Sequence, residues 1–104
     1  MVNVKNNKLV RDKIPQIIFQ KHGKKPLTKI LSENEYAKAL DEKLKEEVSE
    51  YLKSKEIEEL ADIEEVILAI LKSKNVAKKD FEKIRIKKAK DKGKFSKRIR
   101  LIKV

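Results

Sequence analysis

Apolar side chains recur every three to four residues through the middle of this chain. Tyr36, Ala37, Leu40, Leu44, Val48, Tyr51 and Leu52 form one stripe, and Leu60, Ile63, Ile67, Ile70 and Leu71 form a second. That period belongs to amphipathic α-helices. Ser32 followed by Glu35 has the spacing of a capping box, so the first helix begins near Asn34 and runs to about Lys53. Ser54, Lys55 and Glu56 mark a break, and a second helix covers 57–73. Ala61, Val66 and Leu68 widen its stripe, which implies burial on two sides, as in a bundle or a dimer interface.

The flanks are weaker in pattern. Residues 3–11 read as a short, polar, extended segment in which Leu9 and Val10 are the only clear apolar pair. Asp12 is placed to cap a short helix with Pro15 in its tolerated first turn. Ile14, Ile17, Ile18 and Phe19 are expected to bury one side of that helix, and Gly23 to end it. Residues 24–31 form a connector with a short extended piece at 27–30. A further helix begins at Lys79 or Asp80, carries Phe81, Ile84, Ile86 and Ala89, and fades over 91–93. Beyond it the chain alternates: Ile99, Leu101 and Val104 face one way, and Arg98, Arg100 and Ile102 the other. That is the pattern of a short strand or an extended arm. The predicted class is all-α: a helical bundle completed by oligomerisation, with short extended N- and C-terminal arms.

Size and composition add bounds. With 104 residues, of which 39% are apolar, 1–104 is expected to be a single domain with a lean core that a partner subunit helps to complete. A chain without Cys has no thiolate metal site and no disulfide. The longest strongly apolar run, 66–71, is too short to span a bilayer, and the first ten residues lack the apolar core of a signal peptide. The expectation is a soluble, cytoplasmic protein with no membrane partner.

The net charge of +11 first suggests nucleic acid. Its distribution changes that reading. Residues 1–32 carry eight basic residues and one acid, 33–65 five basic and thirteen acidic, and 66–104 fifteen basic and three acidic. An acidic centre between two basic arms suits a metal site flanked by phosphate-binding cations better than a uniformly basic stripe. Nucleic acid is therefore disfavoured as a partner.

Four carboxylates in the acidic centre carry the candidate chemistry. Glu47 and Glu50 are three residues apart, as are Glu59 and Asp62. On a helix, such pairs share a face, about 5–6 Å apart. Two such helices packed antiparallel bring four anionic groups to one point, where a hard divalent cation can hold them. A charged run on a helix is usually only a solvated face, but these acids border Val48, Tyr51 and Leu52, and Leu60, Ala61 and Ile63, at the edge of the apolar stripes. Few Lys lie on the same faces. Glu46–Glu50 and Glu58–Asp62 are like-charge pairs at i, i+4, a strain that a bound cation resolves.

Taken together, E-E-x-x-E followed by E-x-x-D on consecutive helices resembles the MazG-like, all-α nucleoside triphosphate pyrophosphohydrolases. That group includes the dimeric dUTPases and phosphoribosyl-ATP pyrophosphohydrolase. KLVRDKIPQII at 8–18 is similar to the opening KLVRDKIPEII of one branch, and KDKGKFSKRI at 90–99 to its K-x-x-G-G-F ending. The resemblance covers residues 8 to 101. It implies Mg²⁺, with Mn²⁺ as a substitute, held by Glu47, Glu50, Glu59 and Asp62. Glu46 is implied as an outer group or water-positioning base. Two departures matter: the link from Tyr51 to Glu58 leaves little room for a base-reading loop, and Lys94 stands where the branch has a second Gly.

The activity so implied is hydrolysis between the α and β phosphates of a nucleoside triphosphate, possessing a standard or non-standard base, or of a phosphoribosyl-ATP-like substrate. The products are a monophosphate and pyrophosphate. Metal ions neutralise the polyphosphate and lower the pKa of a bound water, and Glu46 or Glu47 takes its proton. Lys8, Arg11, Lys13, Lys92, Lys94 and Arg98 are the candidate phosphate-binding residues, Arg11 and Lys13 foremost because they lie inside the matching motif. Phe95 either stacks on a base or anchors an interface. The expected partners are the nucleotide and further copies of the chain, in a homodimer or homotetramer. The competing classes are a basic helical module that binds nucleic acid without catalysis and a regulatory dimer that uses the helices only as an interface. His22 reads as a helix-end residue, and Tyr36, Tyr51 and Phe81 as core.

Overall fold

The computed structural model describes residues 7–104, so residues 3–6 of the expected N-terminal extended segment lie outside it. Among the described residues four α-helices follow one another: α1 (Ile14–His22), α2 (Glu33–Ser54), α3 (Ile57–Ser73) and α4 (Lys78–Lys92). There is no strand among the described residues. The all-α class is as the hydrophobic period predicts.

Local chemistry sets the boundaries. The Ser32 hydroxyl accepts from the Glu35 amide at 3.2 Å, and the Glu35 carboxylate accepts from the Ser32 amide at 3.0 Å. This reciprocal pair satisfies two donors that the first turn of α2 would otherwise leave open. Lys55 closes α2 in the left-handed region at φ 60°, and its amide donates to the Tyr51 carbonyl. Its ammonium lies 5.6 Å from the Tyr51 ring centroid. Within two residues α3 begins, so the chain reverses almost at once. At α1, Gly23 provides the left-handed cap, with its amide on the Phe19 carbonyl. The predicted Asp12 cap is not formed: Lys13 occupies the N-cap with no side-chain hydrogen bond. Pro15 falls in the first turn and fixes the start there, which leaves Asp12 one residue too early to reach the turn's free amides.

The packing is concentrated between α2 and α3. Among the described residues, Leu40, 2% exposed, and Val66, 8% exposed, are the buried apolar residues, and Glu47 is the buried charged one. Leu44, Ile63, Ile67, Ile70 and Leu71 lie half-buried around them. Helix α4 makes few contacts, all with α3, and its eight basic residues leave little apolar surface to bury. Helix α1 packs on no other helix. Of its expected buried face, Ile14 is half-buried while Ile17, Ile18 and Phe19 are exposed. The tail is not a strand. It turns at 95–98, where the Arg98 amide donates to the Phe95 carbonyl, and then continues without regular secondary structure.

The outcome is an elongated molecule of 57 × 31 × 23 Å with a radius of gyration of 18.0 Å. A compact chain of this length has a radius near 13 Å. No helix among the described residues is long and apolar enough to cross a membrane.

Candidate metal centre

The antiparallel α2–α3 pair brings together three of the four predicted carboxylates. Glu47 of α2 and Glu59 and Asp62 of α3 each offer an oxygen within 4.8 Å of the other two. At about 2.1 Å per bond, two oxygens on one Mg²⁺ stand about 3.0 Å apart when adjacent and about 4.2 Å when opposite, so the three side chains draw together to share that ion. This Glu/Glu/Asp group could hold a metal ion.

The fourth carboxylate is placed differently. Glu50 is exposed, whereas Glu47, one turn earlier, is only 9% exposed. Three residues turn a helix by about 300°, so the two side chains point some 60° apart. Glu47 points into the seam between the helices and Glu50 to its outer rim. Glu50 nonetheless lies close enough for its charge to act on Glu59.

The electrostatics are those of an under-neutralised anionic centre. Burial pushes the Glu47 carboxyl above its ordinary range, Lys43 opposes that shift, and the charges of Asp62, Glu46 and Glu59 add to it. Glu59 is also raised, by desolvation and then by Asp62 and Glu50. Negative charge here lacks full compensation, the condition a cation relieves.

Partial compensation comes from three cations. Lys43 of α2 lies 3.4 Å from Glu46 and 3.9 Å from Glu47, one of the few Lys expected on this face. The other two come from the segment before α1. Lys8 Nζ donates to Glu46 at 3.0 Å and Arg11 Nη2 to Asp62 at 2.7 Å. One short stretch thus pins α2 through Lys8 and α3 through Arg11. The Lys8 bond holds Glu46 below the usual carboxylate range, and Glu46 in turn raises Lys8.

The remaining predicted binders stand apart. Lys13 is exposed at the head of α1, and Lys92, Lys94 and Arg98 are exposed at the end of α4 and in the tail. Phe95, 95% exposed, lines a shallow hollow of about 260 Å³ with Lys94, Lys97, Arg98 and Ile99. A larger hollow, about 460 Å³, lies at the α3–α4 elbow between Leu68, Leu71 and Val76, and no acidic side chain lines it.

Comparison with known proteins adds one partial match. The chain is 52% identical over 42 residues to an uncharacterized protein of Mycolicibacterium smegmatis. The match covers 40% of this chain and 42% of that protein's own length. No family model matches, and no solved structure matches.

Proposed function

We propose that this chain is a divalent-cation-dependent pyrophosphohydrolase that cleaves a nucleoside triphosphate, or a phosphoribosyl-ATP-like nucleotide, between its α and β phosphates. It belongs, on this reading, with the MazG-like enzymes whose motifs it resembles and works as a homo-oligomer. The observation that carries the proposal is the joining of two features distant in sequence. Lys8 and Arg11 of the KLVRDKIP segment end on the carboxylates of the E-E-x-x-E and E-x-x-D helices.

The residues divide the work by position. Glu47, Glu59 and Asp62 hold the cation, and Glu50 on the rim completes the set as its side chain turns inward. Mg²⁺ or Mn²⁺, when bound, screens the polyphosphate charge and acidifies a coordinated water. Glu46 takes the proton of the attacking water. Lys8 now depresses its basicity, and that restraint lifts when Lys8 transfers to phosphate. Arg11 likewise exchanges Asp62 for a phosphate oxygen, which its planar fork suits. Lys13, Lys92, Lys94 and Arg98 meet the outer phosphates, and Phe95 offers a face for the base.

The test is pyrophosphate release from a panel of nucleoside triphosphates with Mg²⁺. Turnover of at least one, lost in Asp62→Asn and Glu50→Gln, is expected. No turnover of any nucleotide overturns the proposal. A second reading rests on the exposed basic residues of α4 and the tail: a non-enzymatic module that binds nucleic acid. It requires metal-independent binding that weakens steeply with salt.

A further inference from the structure

Residues 94–104 hold five basic residues and no acid. Between them Phe95, Ile99, Leu101 and Ile102 stand 77–95% exposed. Apolar side chains in that number do not rest in water without a surface to cover them. The reversal between α2 and α3 is complementary in both respects. Val48, Leu52, Ile57 and Leu60, on the last turns of α2 and the first turn of α3, are all exposed. In the same stretch Glu50, Glu56, Glu58 and Glu59 outnumber the exposed Lys53 and Lys55, so the patch is acidic on balance.

We propose that the tail of one copy docks on the α2–α3 reversal of a second copy, and that the exchange is mutual. Three observations select a second copy as the occupant. The same chain supplies both halves of the complementary pair, so a two-fold arrangement uses each surface twice and closes. The tail does not reach its own reversal: α4 leaves the far end of α3, packs on it only lightly and does not touch α2. The area also fits. The chain exposes 10319 Å², where a compact monomer of its mass exposes about 6,000 Å². The surplus of about 4,000 Å² is ample for an obligate dimer, which buries on the order of 2,000–5,000 Å² over both partners.

A consequence for the site rests on the pyrophosphohydrolase reading; the assembly itself does not. The reversal borders Glu50 and Glu59, so a docked tail brings Lys94 and Arg98 of one copy to the rim of the other's carboxylates. Those cations have no such access within their own chain.

Sedimentation velocity on the intact chain tests the exchange. The wild type is expected to be dimeric or larger. The tail variant Lys97→Glu/Arg98→Glu/Arg100→Glu and the reversal variant Glu56→Lys/Glu58→Lys should each associate at least about tenfold more weakly. Circular dichroism checks that their helices persist. Mixing the two should restore a hetero-assembly, because the charges are complementary again. The lack of Cys allows a second measurement that reads the contact directly. Oxidising a mixture of Leu101→Cys and Leu52→Cys chains should give a cross-chain disulfide between them. A monomeric wild type, a tail variant that assembles as tightly as wild type, or assembly without that disulfide overturns the proposal. Assembly without nucleotide turnover leaves the exchange standing and sinks the enzymatic reading. Turnover by a monomer does the reverse.

Discussion

The competition between Arg11 and a cation for Asp62 yields the most telling single substitution, Arg11→Gln. Arg11 donates to Asp62 at 2.7 Å, with the two side chains 56% and 35% exposed. At that exposure solvent screens most of the Coulomb energy, and such pairs contribute about 0.2–1 kcal/mol. Removing Arg11 therefore costs the metal-free protein at most about 1 kcal/mol, or on the order of 4–8 °C in Tm. Cation binding must break the same pair. Its loss should tighten the apparent Kd for Mg²⁺ by about 1.4- to 5-fold, the same energy converted at 1.4 kcal/mol per factor of ten. The reduced positive charge beside the site acts in the same direction.

Two effects of opposite sign thus come from one substitution. Calorimetric titration with Mg²⁺ reads the affinity, and melting in chelator and in excess Mg²⁺ reads the stability. A cation a hundredfold above its Kd stabilises the folded state by about 2.7 kcal/mol, a rise on the order of 10–20 °C here. Arg11→Gln should melt lower than wild type in chelator and recover most of the difference in excess Mg²⁺. Nucleotide turnover should fall all the same, since Arg11 is also assigned to phosphate. Unchanged or weaker Mg²⁺ binding in Arg11→Gln would refute the competition. No rise in Tm with Mg²⁺ in either protein would remove the metal site itself.

Other outcomes follow from the same geometry. Glu47 and Glu59 are held above the ordinary carboxylate range, so in the metal-free protein they contribute stability below the unfolded value near 4.3 and lose it as pH rises through their folded values. Glu46 is held low, so its contribution is present above that value and is lost as pH falls. Glu47→Gln should then gain in Tm relative to wild type between pH 4 and pH 7 in chelator, and its melting should cease to respond to Mg²⁺. Ser32→Ala removes one arm of the capping box and should cost about 1 kcal/mol in denaturant melts. Leu40→Ala opens the most buried apolar position and should cost about 2–5 kcal/mol, enough to unfold a chain with so small a core.

What the sequence disclosed, and what it withheld, divides by the distance over which each signal acts. The Ser32–Glu35 cap, the break at Lys55 and both long helices are local matters, written in three- and four-residue spacings that backbone geometry enforces. The carboxylate pairs are local in the same way. Even so, spacing treats Glu47 and Glu50 alike, and burial separates them, because the seam runs beneath residues 40, 44 and 47 and leaves residue 50 on its rim. Lys43 was readable too, since it stands at i, i+4 from Glu47. The bonds from Lys8 to Glu46 and from Arg11 to Asp62 cross 38 and 51 residues. Side-chain spacing carries no such information, and only the resemblance of the KLVRDKIP segment pointed there. The open face of α1 was illegible for the converse reason. Its Ile17, Ile18 and Phe19 have the periodicity of a buried stripe, but periodicity states that a face requires cover and not which chain supplies it. The same holds for the tail. In an elongated chain with two buried apolar side chains among its described residues, the stripes left open are those that the proposed assembly would cover.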